Sequence, residues 1–264
     1  MNRIIQKFQQ LKKGKQKAFI AFITAGDPSL NTTEELVLSF EKCGVDLVEL
    51  GVPFSDPLAD GPIIQAASQR ALQKGVTLDK ILSIVERIRK RSQIPLALMT
   101  YYNPIFHYGE EQFIKDAKKV GVDGLIVPDL PPEEAKNLIR FAKKNRLSTI
   151  FFLSPTTTAQ RRKMIVHAST GFIYYVSITG VTGTQKMLPS SVIANVRLAK
   201  RLTKTPICVG FGVSTTQQVK DIGRVADGVI VGSSIVQEIE RQRSRRNLVQ
   251  NVSHYVARLV KSLK

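Results

Sequence analysis

The chain contains no apolar run of about 18 residues, so it offers no candidate membrane span. Its first residues, Met1-Asn2-Arg3-Ile4-Ile5-Gln6-Lys7, lack the apolar centre of a signal peptide. Cysteine is scarce. Cys43 and Cys208 both lie in apolar surroundings, which suits buried free thiols in a reducing compartment better than a disulfide framework. The three histidines, His107, His167 and His254, are too far apart to show metal-ligand spacing, so no zinc site is expected. Acid is also in short supply, with 21 Asp/Glu against 39 Lys/Arg and a formal charge of +18.

That excess is concentrated at the ends. Residues 1–17 and 241–264 carry six and seven cations, no acid, and thirteen of the eighteen excess charges. A nucleic-acid protein usually interleaves aromatic platforms with its basic stripe. Here each end has a single aromatic, Phe8 or Tyr255, and solvated terminal helices are the expected reading. A basic scaffold or nucleic-acid binder stays open as the non-enzyme alternative; salt-sensitive retention on DNA without turnover would mark it.

Strand and helix signals alternate from end to end. The apolar segments Ala18–Thr24, Asp46–Val52, Pro95–Tyr101, Gly124–Val127, Ser148–Leu153, Phe172–Ser177, Pro206–Gly210 and Gly228–Val231 read as eight strands. Amphipathic stretches lie between them, the clearest being Leu248, Val252, Val256 and Leu259 on one stripe. An extra helix, Ile4 to Leu11, precedes the first strand. Near-continuous apolar strands suit a parallel sheet covered on both faces. Eight β/α units in 264 residues match one (β/α)8 TIM-barrel domain spanning 1–264. An open doubly wound sheet is the runner-up, but the first strand ends Thr24-Ala25-Gly26-Asp27-Pro28, which is no dinucleotide fingerprint. Gly-Val-Asp precedes the second and fourth strands, at 44–46 and 121–123, as a weak internal repeat.

In a β/α barrel chemistry gathers at the carboxyl ends of the strands. The second strand delivers Glu49 near that end. The following loop, Pro53-Phe54-Ser55-Asp56-Pro57-Leu58-Ala59-Asp60-Gly61, presents Asp56 and Asp60, and Pro62 suits the first turn of the next helix. Carboxylates in unlike environments can divide acid and base roles. The bland reading is that Glu49 pairs with a core cation and Asp60 caps a helix. Later, Gly180-Val181-Thr182-Gly183-Thr184, Gly210-Phe211-Gly212 and Gly232-Ser233-Ser234 follow the last three strands. Glycine lets backbone N–H groups approach an anion, and this fold binds phosphate after strands seven and eight. Tyr101, Tyr102, Asn103, Asp129, Tyr174 and Tyr175 are further polar candidates; alternation should put one tyrosine of each pair inside the barrel. Strand six has no lysine, which argues against a Schiff-base aldolase. Another phosphate-binding barrel isomerase or synthase is the competing enzyme reading.

Together these segments resemble the tryptophan synthase alpha chain family. The resemblance is carried by Phe22-Ile23-Thr24-Ala25-Gly26-Asp27-Pro28, the run from Leu47 to Pro62, Val127-Pro128-Asp129-Leu130-Pro131, Gly180-Val181-Thr182-Gly183 and Gly210-Phe211-Gly212. It implies a (β/α)8 barrel that cleaves indole-3-glycerol phosphate to indole and glyceraldehyde 3-phosphate. It also implies a beta-chain partner in an alpha2-beta2 assembly, to which the indole passes. By that resemblance Glu49 and Asp60 are catalytic, and Tyr174, Tyr101, Phe22 and Thr182 bind substrate. Gly183, Gly212, Gly232 and Ser233 hold phosphate. Asp56, the loop acid left once Glu49 and Asp60 are given to chemistry, is the one placed nearest the partner. The resemblance implies no cofactor in this chain and pyridoxal phosphate in the beta partner. Residues 184–187, Thr-Gln-Lys-Met, depart from the family's expected pattern.

Overall fold

A computed structural model of the chain describes residues 2–176, 190–210 and 212–264. Among them, nine strands form one parallel sheet: β1 Ala18–Thr24, β2 Leu47–Gly51, β3 Leu96–Met99, β4 Gly124–Ile126, β5 Ser148–Ile150, β6 Phe152–Leu153, β7 Ile173–Val176, β8 Ile207–Gly210 and β9 Gly228–Val231. Their order is β5-β4-β3-β2-β1-β9-β8-β7-β6. Eight strands were expected, and the ninth arises within the fifth. There the chain changes partner, β5 pairing with β4 and β6 with β7, and Phe151 alone separates them. The carbonyl of Phe151 accepts from Tyr174 N at 3.0 Å, so the two ends of the sheet are one stretch of chain and the barrel closes on itself.

Alternation along the strands divides two cores. Outward residues such as Phe19, Val48, Leu50 and Leu98 pack under the surrounding helices. Inward residues, including Ile20, Leu47, Ala97, Ile126, Phe172, Cys208 and Ile230, form a separate cluster with Ile4, Phe8 and Leu11. Those last three come from the helix Arg3–Lys13, whose N-cap Asn2 accepts from Ile4 N and Ile5 N. Asn2 Nδ2 also donates to the carbonyls of Asp123 (2.6 Å) and Arg146 (3.0 Å), anchoring the helix across the amino-terminal end of the barrel. The expectation of solvated terminal helices is therefore corrected. Lys12 and Lys13 are exposed, but the opposite face of that helix is a plug. Burying each large apolar side chain is worth about 1.5–3 kcal/mol, which outweighs any gain from leaving so basic a helix free in water. The helix Leu248–Leu263 likewise buries Leu248, Val252, Val256 and Leu259, as its stripe predicts.

The Gly-Val-Asp repeat has a structural meaning. Gly44 and Gly121 adopt φ of 86° and 100°, turning the chain from helix into strand. The aspartate that follows makes two bonds to the neighbouring strand: Asp46 N donates to Phe19 O, and Phe19 N donates to Asp46 Oδ2, each at 2.9 Å. Asp123 repeats this with Leu96, and Asp227 with Ile207. No helix among the described residues is long and apolar enough to cross a membrane. Cys43 and Cys208 are both free; Cys208 is buried and Cys43 partly so.

Candidate active site

The strands finish at the other end of the barrel. Glu49 lies in the middle of β2, opposite Phe22 of β1 and Ala97 of β3, and faces inward. It is fully buried, and neither carboxyl oxygen has a hydrogen-bond partner. No cation pairs with it among the described residues. Burial disfavours the charged form and pushes its pKa up to about 8. The carboxyl is therefore mostly protonated at neutral pH.

Asp60 does not cap the helix Pro62–Gln73. The N-cap is Gly61, with no side-chain cap bond, and Pro62 opens the first turn as expected. The Asp60 carboxylate instead meets the Tyr101 hydroxyl, which also accepts from Ala59 N at 2.9 Å. Its pKa is pushed up to about 6, raised by burial and opposed by the Tyr101 bond. Tyr101 in turn is raised, first by burial and then by the Asp60 charge, so it keeps its proton to donate. The two carboxyls thus sit on opposite sides of neutrality.

Tyr174 and Tyr175 divide as alternation requires. Tyr175 is buried among the outer residues, while Tyr174 points into the barrel beside Phe152, ring centroids 4.9 Å apart. A Cβ at Gly210 would lie 2.7 Å from the Tyr174 ring, so glycine there makes room for the tyrosine. Burial and the neighbouring Glu49 hold Tyr174 protonated. Phe22 is wedged in the same way: a Cβ at Gly51 would lie 2.6 Å from its ring and one at Gly232 3.3 Å.

Phe22, Asp60 and Tyr101 line one narrow hollow together with Thr24, Met99 and Thr100. The sequence reading missed these last three. Thr24 had a legible signal, since it lies two residues after Phe22 and so shares its face. Its hydroxyl is buried without a partner. Asp129 has a structural role, accepting from Tyr102 N at 2.9 and 3.1 Å at the start of the helix Tyr102–Tyr108.

Around the rim, Gly212 has φ 45°, and a Cβ there would meet nothing within 4 Å. The helix Ser233–Gln242 starts at Gly232 with no side-chain cap, leaving the N-terminal dipole available. Ser234 Oγ donates to Val213 O at 2.6 Å and ties that helix start to the loop after β8. Thr182, Gly183 and the departure at 184–187 lie outside the described residues. Asp56 is exposed on the loop after β2, beside Leu58, which is 94% exposed. Among the described residues, no three His, Cys, Asp or Glu side chains are grouped to hold a metal.

Residues 8–264 match the family model of the tryptophan synthase alpha chain. The chain is 49% identical to the tryptophan synthase alpha chain of Geotalea daltonii, over 98% of each chain. It is also 49% identical to that of Geobacter sulfurreducens, over 91% of each. Its structure is similar to the tryptophan synthase alpha subunit of Legionella pneumophila, with TM-score 0.93 and 37% identity over 100% of this chain and 98% of that one. It is similar as well to a chain of the tryptophan synthase complex of Pyrococcus furiosus, with TM-score 0.85 and 36% identity over 93% of this chain and 99% of that one.

Proposed function

The chain belongs to the tryptophan synthase alpha chain family, and from that premise we propose that it cleaves the carbon–carbon bond of indole-3-glycerol phosphate, releasing indole and glyceraldehyde 3-phosphate. The observation that carries this reading is the fully buried, partnerless carboxyl of Glu49 inside the barrel, where burial favours the protonated form. Breaking a bond to an aromatic carbon requires that carbon to be protonated first. The ring nitrogen then carries the positive charge. Glu49 delivers the proton and becomes a carboxylate. It next accepts the proton of the adjacent side-chain hydroxyl, the carbon–carbon bond breaks, its electrons return to the ring, and the aldehyde forms. Glu49 ends the cycle protonated, as it began.

Asp60, ionised at neutral pH and held by Tyr101, accepts the ring N–H and stabilises the charge developing there. Phe22 and Tyr174 flank the ring. Gly212 and the start of the helix Ser233–Gln242 receive the phosphate, with Gly183 as the third element by family resemblance. The chemistry runs on proton transfer, so we assign no cofactor to this chain and place pyridoxal phosphate in a beta partner. The partner reading is supported at the mouth itself. Leu58 follows β2 and Phe106 follows β3, and they are 94% and 67% exposed on the rim through which indole leaves.

The test is indole release from indole-3-glycerol phosphate. Glu49→Gln keeps the size of the side chain and removes the transferable proton, and is expected to lower turnover by roughly 10²–10⁴-fold or more. Near-normal release by a folded variant would sink the assignment.

A further inference from the structure

Above the barrel, three elements meet in a cluster of their own. β1 contributes Phe22, the helix Pro62–Gln73 contributes Ala67, and the helix Ser233–Gln242 contributes Val236. Arg70 rims this cluster. Its Nε and Nη2 donate to Asp27 Oδ1 and Oδ2 at 2.9 and 2.7 Å, and its Nη1 donates to Glu240 Oε1 at 2.9 Å. Asp27 is 4% exposed and Arg70 18%, so the two bonds to Asp27 are held mostly out of water. One guanidinium thereby joins the loop after β1 to both helices, with a planar fork that fits a carboxylate on two bonds at once.

The two helices begin at opposite ends of the site. Pro62 follows Asp60 by two residues, and Arg70 lies about 12 Å further along the same helix. Ser233 opens the other helix at the phosphate rim, and Glu240 lies about 10 Å along it. Fixing Arg70 to Glu240 therefore fixes the far ends of two rigid rods. Their near ends carry the ring-binding acid and the phosphate cradle. A substrate that joins ring to phosphate gains over its separate fragments only if both half-sites stand at the spacing of the linking chain.

We propose that Arg70 is a positioning residue that sets the distance between the Asp60 end and the phosphate end of the site. The proposal rests on the reading of those two ends given above. It separates geometry from charge: a lysine at position 70 keeps the cation but cannot make the two-bond contact with Asp27 while reaching Glu240.

The experiment is equilibrium binding to the full chain of three probes: indole, glycerol 3-phosphate, and a non-cleavable analogue in which a saturated three-carbon chain joins indole to phosphate. Arg70→Met and Arg70→Lys are both expected to weaken the joined probe about tenfold or more while holding each fragment within about twofold. In turnover the same loss should appear mainly in KM. Glu240→Met, which removes the acceptor of one bond at a half-exposed site and leaves Asp27 paired, is expected to give a smaller loss in the same direction and serves if Arg70 variants do not fold. Rescue by Arg70→Lys would overturn the proposal in favour of long-range charge. A folded variant in which joined probe and fragments weaken together, or none weakens, would overturn it as well. If the unsubstituted chain holds the joined probe no tighter than its fragments, the reading of the two ends fails and takes the proposal with it.

Discussion

Glu49 and Asp60 make opposite demands on pH. On the proposed mechanism, cleavage needs Glu49 protonated and Asp60 ionised. With pKa values of about 8 and about 6, kcat/KM should rise through pH 6 and fall through pH 8. The second ionisation of a phosphate ester also falls near about 6. The acid limb therefore belongs to Asp60 only if Asp60→Asn abolishes it along with most of the turnover. Because Gly61 rather than Asp60 occupies the N-cap, this variant should keep the melting temperature nearly unchanged; a large fall would return Asp60 to a structural role. Stability should follow Glu49 in its own way. Its folded pKa lies above the ordinary carboxyl value of 4.5, so the native state holds the proton more tightly than the unfolded chain. That stabilisation is complete below pH 4.5 and is lost as pH rises through about 8. Glu49→Gln should flatten this decline, and denaturant melts at pH 6 and pH 9 would measure it. A decline as steep as that of the unsubstituted chain would mean that Glu49 is not the buried acid responsible.

Among the elements, the turns that enter β2, β4 and β9 share one device, an aspartate bonded in both directions to the adjacent strand. Asp123 is the most committed of the three, since Arg89 at 2.8 Å and Arg3 at 3.0 Å also bind it. Asp123→Asn would leave Arg89, 9% exposed, without its counter-charge. A loss of about 3–5 kcal/mol is expected, or roughly 10 °C in melting temperature for a chain of this size. A shift below about 2 °C would show that the pair contributes little. Cleavage per folded molecule should survive, because the turn lies at the closed end of the barrel. The sequence displayed the first two of these turns as Gly-Val-Asp but hid the third, which reads Val225-Ala226-Asp227. The bonds themselves were invisible, because they depend on register between strands rather than on neighbours in the chain. The break at Phe151 was hidden for the same reason: it follows from closure, not from composition. Glu49 and Asp60 were legible because one strand and its loop carry both. The Arg70 contacts were not, since Asp27 and Glu240 lie 43 and 170 residues away.

For the molecule as a whole, the positive charge is less scattered than its total suggests. Lys7 and Lys264 both approach Asp46, at 4.0 and 3.4 Å, so the two basic ends of the chain meet at the closed end of the barrel. The mouth keeps Asp56, Leu58 and Phe106 on its rim. A matching beta chain docking there should raise cleavage well above ~10-fold, a change of ~1.4 kcal/mol in barrier, and sedimentation should detect the complex. Asp56→Ala should reduce this activation while sparing basal cleavage; full activation in that variant would remove Asp56 from the contact. The plug at the closed end also imposes an order on manufacture. The helix Arg3–Lys13 leaves the ribosome before any strand, yet its seat includes Phe172, Cys208 and Ile230. At about 5–20 residues per second, roughly 10–40 s separate the synthesis of the helix from that of the last wall of its seat. For that interval Ile4, Phe8 and Leu11 have nowhere native to go, and a nascent chain stalled before Ile230 should leave them open to chaperones and proteases. A helix made before all nine strands is thus among the last elements to be placed.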